Sequence, residues 1–187
     1  MTIKELKLKG VFEIQLETEE DFRGFFMQTY HEQEFKKYNI NLKLTEEYHN
    51  LSLKKGTIRG LHFQLPPYAR TKLVRVVQGK TLDVFLDLRK DSDTFGKWDS
   101  VVLSVENKKM VYIPHGFAHA LCALEDNTMI ICKMDNDYNP DAEYQIKWDD
   151  PDLQIDWQIE GKAIVSEKDA SAKSFKEFVK TYQGRKS

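Results

Sequence analysis

The amino-acid sequence predicts a mainly β fold, an antiparallel sandwich or barrel with a few short helices. Apolar and polar residues alternate in many short runs, and turn-forming sequences such as KKG, LPP, QGK and ENKK separate these runs. The sequence contains neither the strand–helix alternation of parallel α/β proteins nor a Gly-rich phosphate loop. Many short strands at such spacing are typical of antiparallel sandwiches and barrels.

The predicted strands follow one another along most of the chain. The alternation is clearest over residues 81–88, where every second residue from Leu82 to Leu88 is Leu or Val, and it predicts a strand with one buried face. Similar runs predict strands over residues 11–15, 24–29, 59–64, 72–78, 97–103, 109–113, 118–123 and 128–134.

Helical periodicity occurs twice. It is weak over residues 31–38 and stronger near the C-terminus, where apolar residues recur at positions i, i+3, i+4 and i+7. We expect this C-terminal helix to pack on the barrel, and we expect the final QGRKS to form a frayed tail. The apolar stripe of the helix consists of Phe175, Phe178, Val179 and Tyr182.

Composition limits the classes of function. The chain has 187 residues, 41% of them hydrophobic, which is about the size of one domain, and we predict a single domain over residues 1–187. Its 28 Lys and Arg against 30 Asp and Glu give a net charge of −2, which argues against nucleic acid or an anionic membrane as partner. No apolar run reaches the roughly 18 to 20 residues of a membrane helix, and MTIKELKLKG lacks the apolar block of a signal peptide. We therefore predict a cytoplasmic protein.

The two cysteines lie within apolar sequences, Cys122 in ALCAL and Cys132 in MIICK, without CxxC spacing. This pattern is typical of buried thiols in a reducing compartment rather than of a disulfide or a zinc site. Redox and structural-metal functions are therefore not predicted.

The sequence RGLHFQ, which begins at Arg59, is the first candidate for chemistry. Read as a strand, it places Gly60, His62 and Gln64 on one face and Arg59 on the other, so one face is polar where a core would be apolar. Lys72 opens the next predicted strand, and His62 and Lys72 could line one cavity. A His bonded to a backbone carbonyl and a Lys at a barrel rim fit the same spacing, and the sequence alone leaves both interpretations open.

The sequence PHGFAH, which ends at His119, has a PxGxxH pattern that resembles the second motif of the cupin superfamily of small β-barrels. In metal-binding cupins an HxH pair supplies further imidazole ligands. This chain has His62-Phe63-Gln64 instead, and no Glu follows at the usual distance. Because Gln is a poor ligand for transition metals, we expect the barrel to work without a metal.

Two further residues each allow two interpretations. Asp169 in SEKD precedes the C-terminal helix, and it either caps a helix or pairs with the imidazole of His62; on sequence alone, capping is favoured. Tyr138 lies beside the Asn139-Pro140 turn. It is either a packing residue or a phenol that delivers a proton to an enolate.

The motifs together resemble one family over about nine tenths of the chain. They are, in order, DFRGFF, NLS, GTIRGLHFQ, KLVRVVQG, DVFLDLRKDSDTFGKW, LSVEN, IPHGFAH, DYNPDAE, WDDPDLQIDW and SEKD. This set resembles the nucleotide-sugar epimerases typified by dTDP-4-dehydrorhamnose 3,5-epimerase. The resemblance implies a cupin-type jelly-roll barrel, a homodimer with strands that cross between subunits, an active site inside the barrel and no cofactor.

The resemblance also implies roles for particular residues. His62 would be the general base, paired with Asp169, and Tyr138 would be the acid on the opposite face of the sugar ring. Lys72 would lie near the keto oxygen of the substrate. The implied substrate-binding residues are Arg23 and Arg59, which would hold the diphosphate, together with Phe26, Gln28, Tyr48, Asn50, Gln64, His119, Glu143 and Lys168.

Several positions depart from the pattern of the family. Gln28 stands where an acidic residue is usual, Tyr48-His49 where Gln-Asp is usual, and Arg70-Thr71 where Gln-Ala is common. The first two positions lie near the nucleotide end of the site in the family, so a base other than thymine stays open.

The predicted function is epimerisation at carbon 3, carbon 5 or both of a nucleotide-diphosphate 4-keto-6-deoxyhexose, in the first instance dTDP-4-dehydro-6-deoxy-D-glucose to dTDP-4-dehydro-L-rhamnose. One alternative is a single-site epimerase acting on a related sugar, and another is a non-catalytic cupin that binds a sugar nucleotide. A metal-dependent dioxygenase is disfavoured, because Gln64 stands where the second imidazole would be.

Overall fold

The computed structural model of the protein describes residues 1–183, and these residues form a mainly β fold. The strands are β1 (Thr2–Glu5), β2 (Phe12–Gln15), β3 (Thr18–Asp21), β4 (Gly24–Met27), β5 (Glu46–Ser52), β6 (Ile58–Gln64), β7 (Lys72–Gln78), β8 (Lys80–Asp87), β9 (Trp98–Ser104), β10 (Lys109–Ile113), β11 (Phe117–Ala123), β12 (Thr128–Met134) and β13 (Glu143–Gln145). The helices are α1 (Glu32–Lys36), α2 (Glu167–Ala170) and α3 (Phe175–Gln183), and a 3₁₀ turn spans Pro140–Ala142.

Two antiparallel sheets and one separate hairpin account for all of these strands. The six-stranded sheet has the order β1-β2-β10-β7-β12-β5, and the five-stranded sheet has the order β13-β6-β11-β8-β9. Strands β3 and β4 pair only with each other. Strands distant in sequence therefore lie side by side, and the predicted jelly-roll fold is confirmed.

Every predicted strand forms, with ends that coincide or differ by at most two residues. The additional strands β1, β3, β5 and β13 are short or polar, as TEED and EEYHNLS illustrate, so no apolar alternation marks them. The weak helical signal corresponds to α1, and the C-terminal one corresponds to α3. Of the predicted frayed tail, residues 184–187 lie outside the described residues.

The apolar side chains form three layers. Between the two sheets, the barrel interior is filled by residues such as Val74, Phe85 and Ile113. The C-terminal segment covers the outer face of the five-stranded sheet, and Phe178 of α3 is buried there as its apolar stripe predicts. The N-terminal segment and α1, through Phe35, cover the outer face of the six-stranded sheet. Both sheets are therefore covered on both faces over their central strands, while the edge strand β5 is mostly exposed.

This arrangement corrects the prediction that residues 81–88 have a single buried face. The face that carries Leu82 packs under the C-terminal segment, and the other face, with Asp83 and Phe85, points into the barrel interior. Both Asp83 and Asp87 have no exposed surface. The alternating polar residues predicted that one face of this strand is exposed to solvent, but that face points into the barrel interior.

A β-bulge in β6 corrects a second prediction, that Arg59 faces away from His62. On β11, Leu121 pairs with Arg59 and His119 pairs with His62, so three steps along β6 oppose two steps along β11. The extra residue turns Arg59 to the same side as His62. Gly60 permits this close approach, because a Cβ atom there would lie 2.6 Å from both Ala120 Cβ and the carbonyl oxygen of His119.

Both cysteines are free thiols. Cys122 is buried under the C-terminal segment, as predicted. Cys132 is only half-buried, because it borders the cavity described below. Within residues 1–183, no helix combines the length and the apolar character needed to cross a lipid bilayer.

Candidate active site

A cavity of about 190 Å³ lies between the two sheets. Strands β6 and β11 form the wall contributed by the five-stranded sheet, and β5, β7 and β12 form the opposite wall. The structure brings most of the predicted site residues together here. Those that line the cavity are Tyr48, Asn50, Arg59, His62, Gln64, Lys72, His119, Tyr138 and Glu143.

His62 and Asp169 form a short hydrogen-bonded pair beside this cavity. The bond joins His62 Nε2 to Asp169 Oδ1 over 2.6 Å, and the Asp169 side chain is only 5% exposed against 31% for His62. Asp169 Oδ2 also accepts a bond of 3.4 Å from the backbone N–H of Gly60. With the ring proton on Nε2, donated to the carboxylate, the lone pair of the imidazole is on Nδ1.

The capping interpretation of Asp169, which the sequence favoured, is wrong. Helix α2 is capped by Ser166, whose hydroxyl accepts a bond of 3.1 Å from the backbone N–H of Asp169. Asp169 lies in the first turn, and its carboxylate points away from the helix end to His62. The cap therefore fixes the backbone from which the carboxylate reaches the imidazole.

The pKa of Asp169 reflects two opposing causes. Burial of the carboxyl group disfavours its ionised form, but the hydrogen bond and charge of His62, with the bonds from Gly60 and Ser166, hold the pKa below its ordinary value. A lowered folded-state pKa stabilises the fold fully above the unfolded-state pKa, and this stabilisation is lost as the pH falls through the folded-state value. Near neutral pH the carboxylate is therefore ionised.

Lys72 occupies the inner part of the cavity, within reach of His119. Lys72 Nζ lies 3.2 Å from His119 Nδ1 and donates a bond of 3.3 Å to the carbonyl of His62. On its other side, His119 Nε2 lies 2.9 Å from Asp83 Oδ1, an ion-pair distance without the direction of a hydrogen bond. Burial lowers the pKa values of both Lys72 and His119. The Lys72 amine thus lies between the imidazole of His119 and the backbone of His62.

The mouth of the cavity carries aromatic and charged side chains. Tyr138 is 47% exposed, and its hydroxyl donates a bond of 2.8 Å to Glu143 Oε2. Lys168 Nζ lies 2.5 Å from the same carboxylate oxygen. The Arg70 guanidinium lies 5.5 Å from the ring centre of Tyr48 and 5.7 Å from that of Tyr138. The bond to Glu143 is the main cause that raises the pKa of Tyr138, so this phenol keeps its proton.

Three other predicted binding residues differ in how many hydrogen bonds their side chains make within the protein. Arg59 donates a bond of 3.0 Å to the carbonyl of Leu51. Gln64 bonds to backbone groups through both ends of its amide, including a bond of 2.8 Å from the N–H of Asn139, so it holds the segment that carries Tyr138. Asn50 Oδ1 is buried without a hydrogen-bond partner among the described residues.

The remaining predicted residues lie outside the cavity. Lys168 and Asp169 are on α2, next to His62. Arg23 and Phe26 belong to the separate β3–β4 hairpin, which projects Phe22 with 98% exposure and Phe26 with 69%. Gln28 follows this hairpin and is exposed. A single chain therefore does not bring these hairpin residues to the histidine pair.

The family model for dTDP-4-dehydrorhamnose 3,5-epimerase matches residues 5–177. The chain belongs to the dTDP-4-dehydrorhamnose 3,5-epimerase family. Among curated members of the family, that of Methanothermobacter thermautotrophicus is 41% identical over 172 residues, which is 91% of this chain and 92% of the relative. That of Shigella flexneri is 42% identical over 156 residues, 83% and 85% of the two chains. The resemblance that the motifs indicated is confirmed.

Solved structures of the epimerase family share the fold. The dTDP-4-dehydrorhamnose 3,5-epimerase of Elizabethkingia anophelis has a TM-score of 0.90 at 38% identity, over 95% of this chain and 97% of its own. The epimerase of Legionella pneumophila, in complex with dTDP-4-keto-L-rhamnose, has a TM-score of 0.88 at 34% identity, over 92% of each chain. A 3′-monoepimerase of Streptomyces bikiniensis with dTDP-quinovose has a TM-score of 0.89 at 25% identity, over 95% and 89%. It was also solved as a double mutant with a His and a Tyr replaced.

Two residues that line the epimerase site, Arg70 and Cys132, and one that contacts it through His119, Asp83, were not predicted from the sequence. Asp83 was placed on a solvent face, Cys132 was interpreted as a buried thiol, and Arg70 was noted only as a departure from the family pattern. A signal for Cys132 was available, since Ile130, Cys132 and Met134 alternate along β12 and all three border the cavity.

Proposed function

We propose that the protein is a cofactor-independent epimerase that inverts carbon 3, carbon 5 or both of a nucleotide-diphosphate 4-keto-6-deoxyhexose. The first candidate reaction is dTDP-4-dehydro-6-deoxy-D-glucose to dTDP-4-dehydro-L-rhamnose, the activity named for the curated relatives. The observation that carries the proposal is the His62–Asp169 pair at 2.6 Å, beside Lys72 in one cavity. A base and a fixed cation in one water-poor site are what the abstraction of a proton next to a ketone requires.

His62 is the base of the proposed reaction. The 4-keto group acidifies the hydrogens on the neighbouring carbons, and the Nδ1 lone pair accepts one of them. Asp169 keeps the ring proton on Nε2 and stabilises the imidazolium that forms. Lys72 lies where its ammonium can offset the negative charge that develops on the keto oxygen, and this interaction gains strength in a site of low dielectric.

Inversion also needs a proton donor on the opposite face of the sugar. The sequence-based candidate is Tyr138, which lies at the mouth with its hydroxyl bonded to Glu143. In the double mutant of the S. bikiniensis monoepimerase, the replaced Tyr follows the replaced His by seventy positions. Seventy positions after His62, this chain has Cys132. The donor therefore has two candidates, which the following subsection separates.

The test of the proposed function is proton NMR of dTDP-4-keto-6-deoxyglucose in D₂O with the purified protein. Loss of the signals from the hydrogens on carbons 3 and 5, with an L-rhamno product, is the result expected of a two-site epimerase. Loss of one signal alone would assign a single-site reaction, as in the monoepimerase neighbour. If 4-keto sugars carrying dTDP, CDP, GDP and UDP all keep both signals, the proposal is overturned in favour of a non-catalytic binding protein.

We also propose a homodimer in which the β3–β4 hairpin of one subunit completes the site of the other. The hairpin exposes Phe22, Phe25 and Phe26 next to Arg23, and within residues 1–183 it pairs with no other strand. Exposed aromatic side chains of this extent favour a protein interface. Arg23 would then join Arg59 in holding the diphosphate, since guanidinium groups bind phosphate oxygens bidentately.

The hybrid dimer tests this arrangement. His62→Ala and Arg23→Ala subunits, each expected to be poorly active alone, are co-expressed with different tags. If Arg23 acts on the partner's site, equal mixing should recover about a quarter of the wild-type activity, because half of the dimers are hybrids and each hybrid has one intact site. A mixture of His62→Ala and Lys72→Ala is the matched control, since both changes fall in one cavity and no hybrid site is intact. A monomeric protein, or no recovery in the first mixture, would contradict the proposal.

A further inference from the structure

The wall of the cavity opposite His62 carries a thiol to which the mechanism so far gives no role. We propose that the Cys132 thiol is the proton donor that completes inversion on the face of the sugar opposite to His62. This inference rests on the proposed epimerase function. It adds a residue that transfers a proton to the reacting carbon.

The two sheets place Cys132 and His62 on opposite sides of the substrate space. His62 is on β6 of the five-stranded sheet, and Cys132 is on β12 of the six-stranded sheet. Cys132 pairs with Val74 of β7 and Tyr48 of β5, and its side chain packs against the apolar interior and borders the cavity. A ring held between the sheets would meet the imidazole on one face and the thiol on the other.

Tyr138 is less well placed for this role. Its hydroxyl donates to Glu143, which belongs to β13, and β13 pairs with β6, the strand of His62. The hydroxyl is thus bonded to the sheet of the base at the exposed mouth, while the backbone N–H of Tyr138 donates a bond of 2.8 Å to Glu46 of β5. To donate its proton to a bound ring, the phenol would have to break its bond to Glu143 and move inward from the mouth.

The other proton-bearing groups on the opposite wall already have partners. Tyr48 donates its hydroxyl to Glu46 at the mouth. Lys72 lies between His119 Nδ1 and the carbonyl of His62, where it serves the keto oxygen. Among the described residues that line this wall, Cys132 is therefore the acid that is available to protonate the reacting carbon of the sugar.

A second observation indicates that the inner cavity is built for a polar ligand. His119 borders it with a side chain only 6% exposed, yet its Nε2 makes no hydrogen bond to any described residue. That nitrogen lies 2.9 Å from Asp83 Oδ1 in an ion pair, whereas Asn50 Oδ1, also on the cavity wall, is buried with no hydrogen-bond partner among the described residues. A buried polar atom left without a partner is costly, so Asn50 Oδ1 is characteristic of a site that a bound molecule completes.

The electrostatics suit a donor that holds its proton until the enolate forms. Burial raises the pKa of the Cys132 thiol to about 12, although the charge of Lys72 acts in the opposite direction. The thiol is therefore protonated at neutral pH. Once the proton has left, the thiolate lies near the Lys72 ammonium, which lowers the free energy of the charged product of the transfer.

The proton transfers balance as follows. His62 Nδ1 takes the hydrogen from the carbon next to the ketone, the C–H bond breaks, and its electron pair forms the enolate with the charge on the keto oxygen. The enolate carbon then forms a C–H bond with the Sγ proton from the opposite face, the S–H bond breaks, and a thiolate remains. The imidazolium loses its proton to water, and the thiolate takes one from water, so the enzyme returns to its initial state.

The test separates loss of the original hydrogen from inversion of the carbon. Without the thiol, His62 can still remove the hydrogen and return a solvent deuteron to the same face. Cys132→Ala and Cys132→Ser should therefore keep deuterium exchange in D₂O within several-fold of wild type and lose inversion by about 10²-fold or more. Proton NMR measures exchange, and product stereochemistry measures inversion. Cys122→Ala, a thiol removed outside the cavity, is the matched control and should leave the ratio of the two rates unchanged.

Several outcomes would overturn the inference. Inversion by both Cys132 variants at close to the wild-type rate, or a parallel fall of exchange and inversion in a variant with a wild-type melting curve, would remove the thiol from the reaction. The same conclusion follows if Tyr138→Phe, rather than the Cys132 variants, separates exchange from inversion. If Cys132→Ala does not fold, Cys132→Ser decides, because it keeps the size of the side chain. Failure of the proposed function itself is distinct, since the wild-type protein would then show neither exchange nor inversion.

Discussion

His62→Ala is expected to lower kcat by about 10² to 10⁴-fold, the usual contribution of a positioned general base. Because His62 Nε2 is bonded to Asp169, the lone pair on Nδ1 is the one available to accept a proton. In the proposed reaction the His62 side chain, which lines the cavity, acts in the transition state and does not bind the nucleotide. kcat and kcat/KM should therefore fall together. Steady-state assays of product formation, with α-proton loss in D₂O followed by NMR, measure the effect.

The surface offers a matched control for this prediction. His115 also pairs with a carboxylate, with its Nε2 3.0 Å from Asp135 Oδ2, but it does not line the cavity. His115→Ala should keep the wild-type rate, so an effect common to any broken His–Asp pair would be recognised. His62→Asn, which retains a polar contact to Asp169, guards against a folding defect. α-Proton exchange at the wild-type rate in either His62 variant would exclude His62 as the base.

The positions of the strands, and the face of a strand on which a residue lies, were predictable from the sequence where a local alternation of apolar and polar residues specifies them. Alternation located the strands, and it placed Lys72 on the face of Val74 and Val76, which the structure confirms. The family motifs added the likeness of the site to known epimerases. These signals are local or shared with relatives, so they can be interpreted without knowing how the two sheets pack.

Long-range packing explains the predictions that failed. The capping role of Asp169 was favoured because its true partner, His62, is 107 residues away in sequence. Arg59 was assigned to the wrong face because one bulged residue reverses the alternation. Asp83 was expected to face water because a polar residue on a strand ordinarily does. In the structure its face of β8 points into the barrel interior, and Asp83 is fully buried.

The β3–β4 hairpin carries predicted site residues that the fold of the single chain leaves away from the cavity. Arg23 and Phe26 match family motifs, yet the hairpin that carries them stands away from the cavity of its own chain. No periodicity or spacing within a sequence tells whether a residue acts in its own subunit or in a partner. The hybrid-dimer experiment addresses that question directly.

Asp169→Asn is expected to lower kcat by about 10² to 10⁴-fold while leaving the fold and the shape of the cavity intact. The carboxylate accepts the Nε2 proton of His62 at 2.6 Å and so keeps the lone pair on Nδ1. An Asn amide can instead donate to Nε2, which favours the opposite tautomer, with the proton on the nitrogen that should act as base. It also removes the negative charge that stabilises the imidazolium during the reaction.

The matched control for Asp169→Asn is Asp135→Asn, which makes the same change in the His115 pair outside the cavity and should keep kcat near the wild-type value. A second readout distinguishes orientation of the base from simple loss of stability. Because the pKa of Asp169 is held below its ordinary value, ionisation of this carboxyl stabilises the wild-type fold, and that stabilisation declines in acid. The difference in free energy of unfolding between wild type and Asp169→Asn should therefore shrink as the pH falls through the lowered pKa, while the kcat deficit persists at neutral pH. An Asp169→Asn protein with wild-type kcat would show that His62 does not need its carboxylate, and the base would then have to be sought elsewhere in the cavity.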